Sequence, residues 1–206
     1  MTGFLGKLPT VGDFITRNLP DAIGNAWMDR TDAAFTYGIR QDGAEWYERC
    51  QDLQPLCFAL APGALGNTGW LGLLRPSLDS FGRSYPVTVL TPLPLDMSVL
   101  AAPSRMRRWF AKTDIAVLAA MEGSLTIDRL STVLEGVGAL PEQDDDRRSS
   151  APLLFKDEAV QGWVSPLGTE DGAWRLAWYE VLLTEILAET GAPTLWWTLP
   201  HGDLLG

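Results

Sequence analysis

The sequence predicts an α/β fold: a mixed, mostly antiparallel central sheet with helices on both faces, a three-layer sandwich. Short apolar runs that read as strands stand near both ends, at residues 2–8 and 194–199, and again in the middle, at 55–91. Stretches with helical spacing lie between them. Elements that are apolar on one side must bury that side against another layer, and this order is met by a sheet with helices packed on both of its faces.

The first strand is carried by Phe4 and Leu5, and Pro9 and Gly12 end it in a loop through about Asp13. From Asp21 onward Ile23, Ala26, Trp27, Ala34 and Tyr37 fall roughly on one helical face, and "GAEWYERCQ" adds a second short helical stretch. "PLCFAL" (55–60), "GWLGLL" (69–74) and "YPVTVLT" (85–91) read as neighbouring strands, the first two joined by the Pro- and Gly-rich "APGALGNT". Between Ser104 and Val137 the spacing is helical. There Ile127, Leu130, Leu134 and Val137 recur at intervals of three, four and three, with Gly136 and Gly138 as the stop. "PEQDDDRRSS" (141–150) has no periodicity and reads as a solvated loop inside one domain. In "GAWRLAWYEVLLTEILAETG" Trp174, Ala177, Trp178, Val181 and Leu182 match the amphipathic template, and Leu176, Leu183 and Leu187 make the helix apolar on further sides. "TLWWTL" then closes the sheet, with Trp196 and Trp197 sent to opposite faces by strand alternation.

The 206 residues suit a single domain spanning 1–206, and 46% hydrophobic with 20% charged residues is the composition of a globular chain with a real core. The formal charge of −10 argues against tracking nucleic-acid phosphates and against binding an anionic membrane surface. Cys50 and Cys57 have neither metal-site nor redox-motif spacing and read as reduced thiols, Cys57 being buried. There is no basic segment followed by an apolar stretch at the start and no apolar run of transmembrane length, so a cytoplasmic location is expected.

Two stretches carry unusual chemistry. "GFLGKLPTVGDFITRNLP" (3–20) places Gly6-Lys7 before a Gly-Asp pair, but it lacks the spaced glycine and the hydroxyl residue of a phosphate-binding P-loop, and no G-x-G-x-x-G fingerprint exists. "RPSLDSFGRSYP" (75–86) connects two apolar runs through Asp79, Gly82, Arg83, Tyr85 and Pro86. One reading is a tight structural corner in which Asp79 bonds backbone amides, Gly82 supplies positive φ and Pro86 sets the strand entrance. The other joins the two loops, so that Asp13, Arg17, Asp79 and Arg83 form a crossed carboxylate–guanidinium network at an exposed surface. Nucleophilic catalysis would have only His201 as a base, and no G-x-S-x-G elbow is present. One His and two separated Cys are too few for a zinc site, and the acidic run 144–146 lies in the polar loop. No cofactor and no metal are expected.

Together these stretches resemble the TagF (ImpM) family of type VI secretion accessory proteins. The resemblance rests on "GFLGKLPTVGDF" with Arg17 after it, on Trp27, on "FALAPG" (58–63) followed by "WLGLLRPSLDSFGRSYPVT" (70–88), and on "PTLWWT" near the end, all in family order. Arg75 stands where an apolar residue is common in the family, and Cys57 where an aromatic often sits. The resemblance implies an α/β sandwich and a non-catalytic, post-translational negative regulator whose partner is a forkhead-associated scaffold protein of the secretion system. The polar contact residues expected are Lys7, Asp13, Arg17, Asp79, Arg83 and Tyr85, with Trp70 as an anchor. The alternatives are a metal- or carboxylate-dependent hydrolase and a constitutive structural component of the apparatus.

Overall fold

The computed structural model describes residues 1–43, 45–46, 54–138, 153–156, 161–164, 192 and 194–198. Its centre is a six-stranded sheet built from β1 (Gly3–Gly6), β2 (Ile15–Arg17), β3 (Leu56–Leu60), β4 (Trp70–Arg75), β5 (Val87–Pro92) and β8 (Thr194–Thr198), in the order β2-β1-β5-β4-β3-β8. Every pairing in it is antiparallel. β6 (Leu153–Lys156) and β7 (Gln161–Val164) form a separate antiparallel pair. Among the described residues the helices include α1 (Asp21–Asp42), the short α2 (Ala102–Arg105) after a 3₁₀ turn at Val99–Ala101, α3 (Arg107–Met121) and α4 (Ile127–Val137).

The central strands are buried along nearly their whole length, so their alternation sorts side chains between two apolar clusters rather than between core and water. Cys57, Ala59, Leu71, Leu73, Val87 and Val89 join Trp109, Phe110 and Val117 of α3 and Leu130 and Leu134 of α4. Leu56, Phe58, Leu60, Leu74 and Leu90 join Trp27, Ala34 and Phe35 of α1. The tryptophan pair of β8 obeys the same alternation. Trp196 stacks on Phe58 with ring centroids 4.7 Å apart, and Trp197 meets Phe110 edge-on at 4.9 Å.

α1 starts after Pro20, whose carbonyl accepts from the amides of Ile23 and Gly24, and Asp21 places a negative charge in its first turn. Its buried stripe is Trp27, Thr31, Ala34 and Phe35, with the Trp27 indole donating to Thr88 Oγ1 of β5 at 3.1 Å. Tyr37, expected on this face, is instead 49% exposed. Ten positions after Trp27, at about 100° per residue, it has rotated well off the stripe. α4 follows the expected spacing, with Leu130 and Leu134 fully buried. Thr126 caps it by accepting from the Arg129 amide. Thr126→Ala should therefore lower stability by about 0.5–1 kcal/mol, read from the urea midpoint at unchanged slope.

The expected strands at 55–60, 69–74 and 85–91 are β3, β4 and β5. β2 was not expected: three residues with a single buried side chain carry no alternation, and the strand exists because its backbone pairs with β1. The helix expected over 172–191, the loop 141–150, the stretch around Cys50 and the tail with His201 lie outside the described residues. Among the described residues no helix is long and apolar enough to cross a membrane.

Candidate functional site

Asp79 is the hub of the corner between β4 and β5. Its side chain is fully buried, with no exposed surface. Oδ1 accepts from the backbone amides of Phe81 and Arg83, each at 2.9 Å. Oδ2 accepts from Arg83 Nε at 2.7 Å and pairs with Lys7 Nζ at 3.1 Å. Burial alone would push this carboxyl up, but the Arg83 amide, the Lys7 ammonium, the Phe81 amide and the Arg83 guanidinium outweigh it and hold the pKa well below the usual carboxylate range. The turn closes with Gly82 N–H donating to the Asp79 carbonyl at 2.9 Å, and Gly82 sits at φ +77°, a conformation that a side chain would strain.

The loop after β1 is fastened to this turn by backbone as well as charge. The Ser80 amide donates to the Val11 carbonyl at 2.9 Å, and Arg83 Nη2 donates to the Gly12 carbonyl at 2.7 Å. The Phe81 ring lies so close over Gly12 that a Cβ there would collide with it, which is what position 12 requires of its residue. The two remote loops of the sequence are thus one braced unit.

Of the residues singled out in the sequence, Lys7, Asp79 and Arg83 come together. Asp13 lies beside Gly12 on the same unit but is exposed and makes no ion pair among the described residues. The expected four-membered network is therefore replaced by a three-membered one, with Lys7 in the place given to Asp13 and Arg17. Arg17 is held away by register: it stands opposite Phe4 on β2, two residues along the ladder from the Gly6–Ile15 pair, and among the described residues its side chain donates to the Thr16 carbonyl. Tyr85 faces inward. Its ring lies between Phe14, edge-on at 5.1 Å, and Phe35 of α1, stacked at 5.6 Å. Its hydroxyl is buried beside Thr31 and Asp32, and burial first, then the Asp32 charge, raises its pKa well above the usual tyrosine range. Trp70 is no anchor. It is buried at the opposite end of β4, with its indole bonded to the Leu65 carbonyl at 3.0 Å.

Two features escaped the sequence reading. Phe81, passed over there as a turn residue, is 76% exposed and lies under the Arg83 guanidinium at 5.4 Å. Arg75, out of place as an apolar position, forms a two-pronged pair with the buried Asp114 of α3, Nε to Oδ1 and Nη2 to Oδ2, both at 2.9 Å. Asp114 falls among the buried residues of its helix, and only a cation at the end of a neighbouring strand would have marked it. Burial, with Asp114 adding negative charge nearby, pushes the Cys57 thiol well up. Cys57 should then resist iodoacetamide in the native protein at pH 8 and become alkylated in urea, read by peptide mass spectrometry. Among the described residues no three His, Cys, Asp or Glu side chains gather as metal ligands would.

The TagF N-terminal domain family, described as type VI secretion system-associated, matches residues 3–137. The chain belongs to the TagF family. The matched span contains both loops of the braced corner together with α1, α3 and α4. No curated protein matches the chain. The crystal structure of PA0076 from Pseudomonas aeruginosa PAO1 is similar in fold, with a TM-score of 0.64 at 23% identity over 97% of this chain and 90% of that one.

Proposed function

We propose that this TagF-family protein is a non-catalytic regulator of a type VI secretion system that holds the apparatus off by binding a forkhead-associated scaffold protein in the cytoplasm. The observation that carries the reading is the family match over residues 3–137, described as type VI secretion system-associated. The braced corner is consistent with it, because both Asp79 carboxylate oxygens are engaged by groups of the two loops. A binder of this kind acts by preferring one state of its partner, and it can shift assembly only by the difference between its affinities for the two states.

The test is to raise the level of the protein in its native bacterium and measure effector release into the medium. Secretion should fall while the cellular amounts of the secretion components stay constant, and the purified scaffold should bind the purified protein. Unchanged secretion at high levels of the protein would overturn the regulatory reading. Binding to assembled apparatus alone would overturn the choice of partner.

A further inference from the structure

We infer that Phe81 and Arg83 form the anchor of the docking surface, and that the partner meets them with an apolar socket edged by a carboxylate. This rests on the regulatory reading above and names the residues that would carry it. A phenylalanine ring 76% exposed is costly to keep in water, and here it stands on a turn whose every neighbour is fixed. The Phe81 amide is bonded to Asp79 Oδ1, the Ser80 amide to the Val11 carbonyl, and the Gly82 amide to the Asp79 carbonyl. The ring itself rests on Gly12. An aromatic side chain immobilised before contact loses little further freedom on binding, which is the property of residues that dominate interfaces.

The charge of the partner follows from the donors of Arg83. Its Nε is committed to Asp79 and its Nη2 to the Gly12 carbonyl, while its side chain remains 60% exposed. Nη1 has no partner among the described residues, so its donors are presented to solvent in a fixed place, next to the ring. Nη1 suits a carboxylate, to which it can donate a charge-assisted hydrogen bond. Lys7 and Asp79 neutralise each other beneath it, and Asp13 stands exposed beside it, so the attraction is local to Arg83 rather than a long-range field. The rest of a chain of formal charge −10 would repel an acidic partner, which confines docking to this tip.

Effector release is measured in the native bacterium producing, at matched abundance, the wild-type chain or the variants Phe81→Ala, Phe81→Asp and Phe81→Lys. None of these touches the hydrogen bonds of the corner, and equal thermal midpoints of the purified proteins check that. The wild type should suppress secretion, and Phe81→Ala should need about tenfold more protein for the same suppression. Phe81→Asp should be weaker still and Phe81→Lys stronger than Phe81→Asp, because the socket edge is negative. Full suppression by Phe81→Ala overturns the anchor and leaves the regulatory reading standing. Phe81→Lys weaker than Phe81→Asp overturns the carboxylate edge. Self-association of the wild type that Phe81→Ala abolishes, seen by sedimentation, gives the tip to a second copy and overturns the partner. If the wild type itself fails to suppress, the regulatory reading falls and the anchor falls with it.

Discussion

Asp79→Ala is expected to lower the thermal midpoint by on the order of 10 °C, and Asp79→Asn by about half as much. The ranking follows from which donors keep an acceptor. Alanine leaves the amides of Phe81 and Arg83 unpaired where there is little water to replace the carboxylate, and it frees Lys7 and Arg83 from the anion that holds them. Asparagine keeps an oxygen for the two amides, but its NH₂ group faces two cationic donors and accepts from neither. Differential scanning calorimetry of the three proteins checks the order. Midpoints equal to wild type would show that the corner does not hold the loops.

The pH dependence has a defined sign. The folded-state pKa of Asp79 lies below its unfolded value, which is about 3.9 for an ordinary aspartate. The stability it contributes is therefore fully present above that value and is lost as the pH falls through the folded-state value. Between pH 5 and pH 2 the wild-type midpoint should drop steeply, and that of Asp79→Asn should drop less. Lys7→Met keeps the carboxylate and removes one of its cations, so it should raise the folded-state value toward the unfolded one, ending the acid limb at higher pH with a smaller total drop. Parallel acid limbs in wild type and Asp79→Asn would remove Asp79 from the account.

The corner also shows what the sequence made legible. The positive φ of Gly82, the carboxylate bonded to backbone amides and the start of β5 just after Pro86 are local properties, set by residues a few positions apart, and each was readable from turn chemistry. The strands β3, β4 and β5 and the helix α4 were legible because their apolar spacing is strong over several residues. What one loop does to another was not. Arg17 was grouped with Asp79 by its charge, but register on β2 places it elsewhere. Trp70 was taken for an anchor because tryptophan often is one, whereas a position at the start of a central strand buries it. The exposure of Phe81 depends on Gly12, sixty-nine residues earlier, lying beneath its ring. Long-range placement of this kind has no local signal.

Arg75→Ala is expected to destabilise the fold by about 3 kcal/mol, a cost drawn from the ion pair between β4 and α3 rather than from the corner's turn. Arg75 ends β4 and Asp114 sits mid-way along α3, so their pair ties a central strand to the helix that covers it. Both side chains are largely withdrawn from water, at 17% and 8% exposure. Attraction in such a setting is offset by the loss of hydration, so the intact pair contributes little net energy, but removing one member takes its two-pronged partner from a charge largely withdrawn from water. The asymmetry makes a sharp test. Arg75→Met alone should be strongly destabilising, whereas Arg75→Met with Asp114→Leu should recover most of the loss, since the double replacement leaves no buried charge. The coupling free energy between the two sites, read from urea unfolding of the four proteins, should be large and restorative. The same double variant should lower the Cys57 thiol pKa toward its burial-only value, because the Asp114 charge that raises it is gone. Additive losses would mean that the strand and the helix are held together by apolar packing alone, with the ion pair incidental to it.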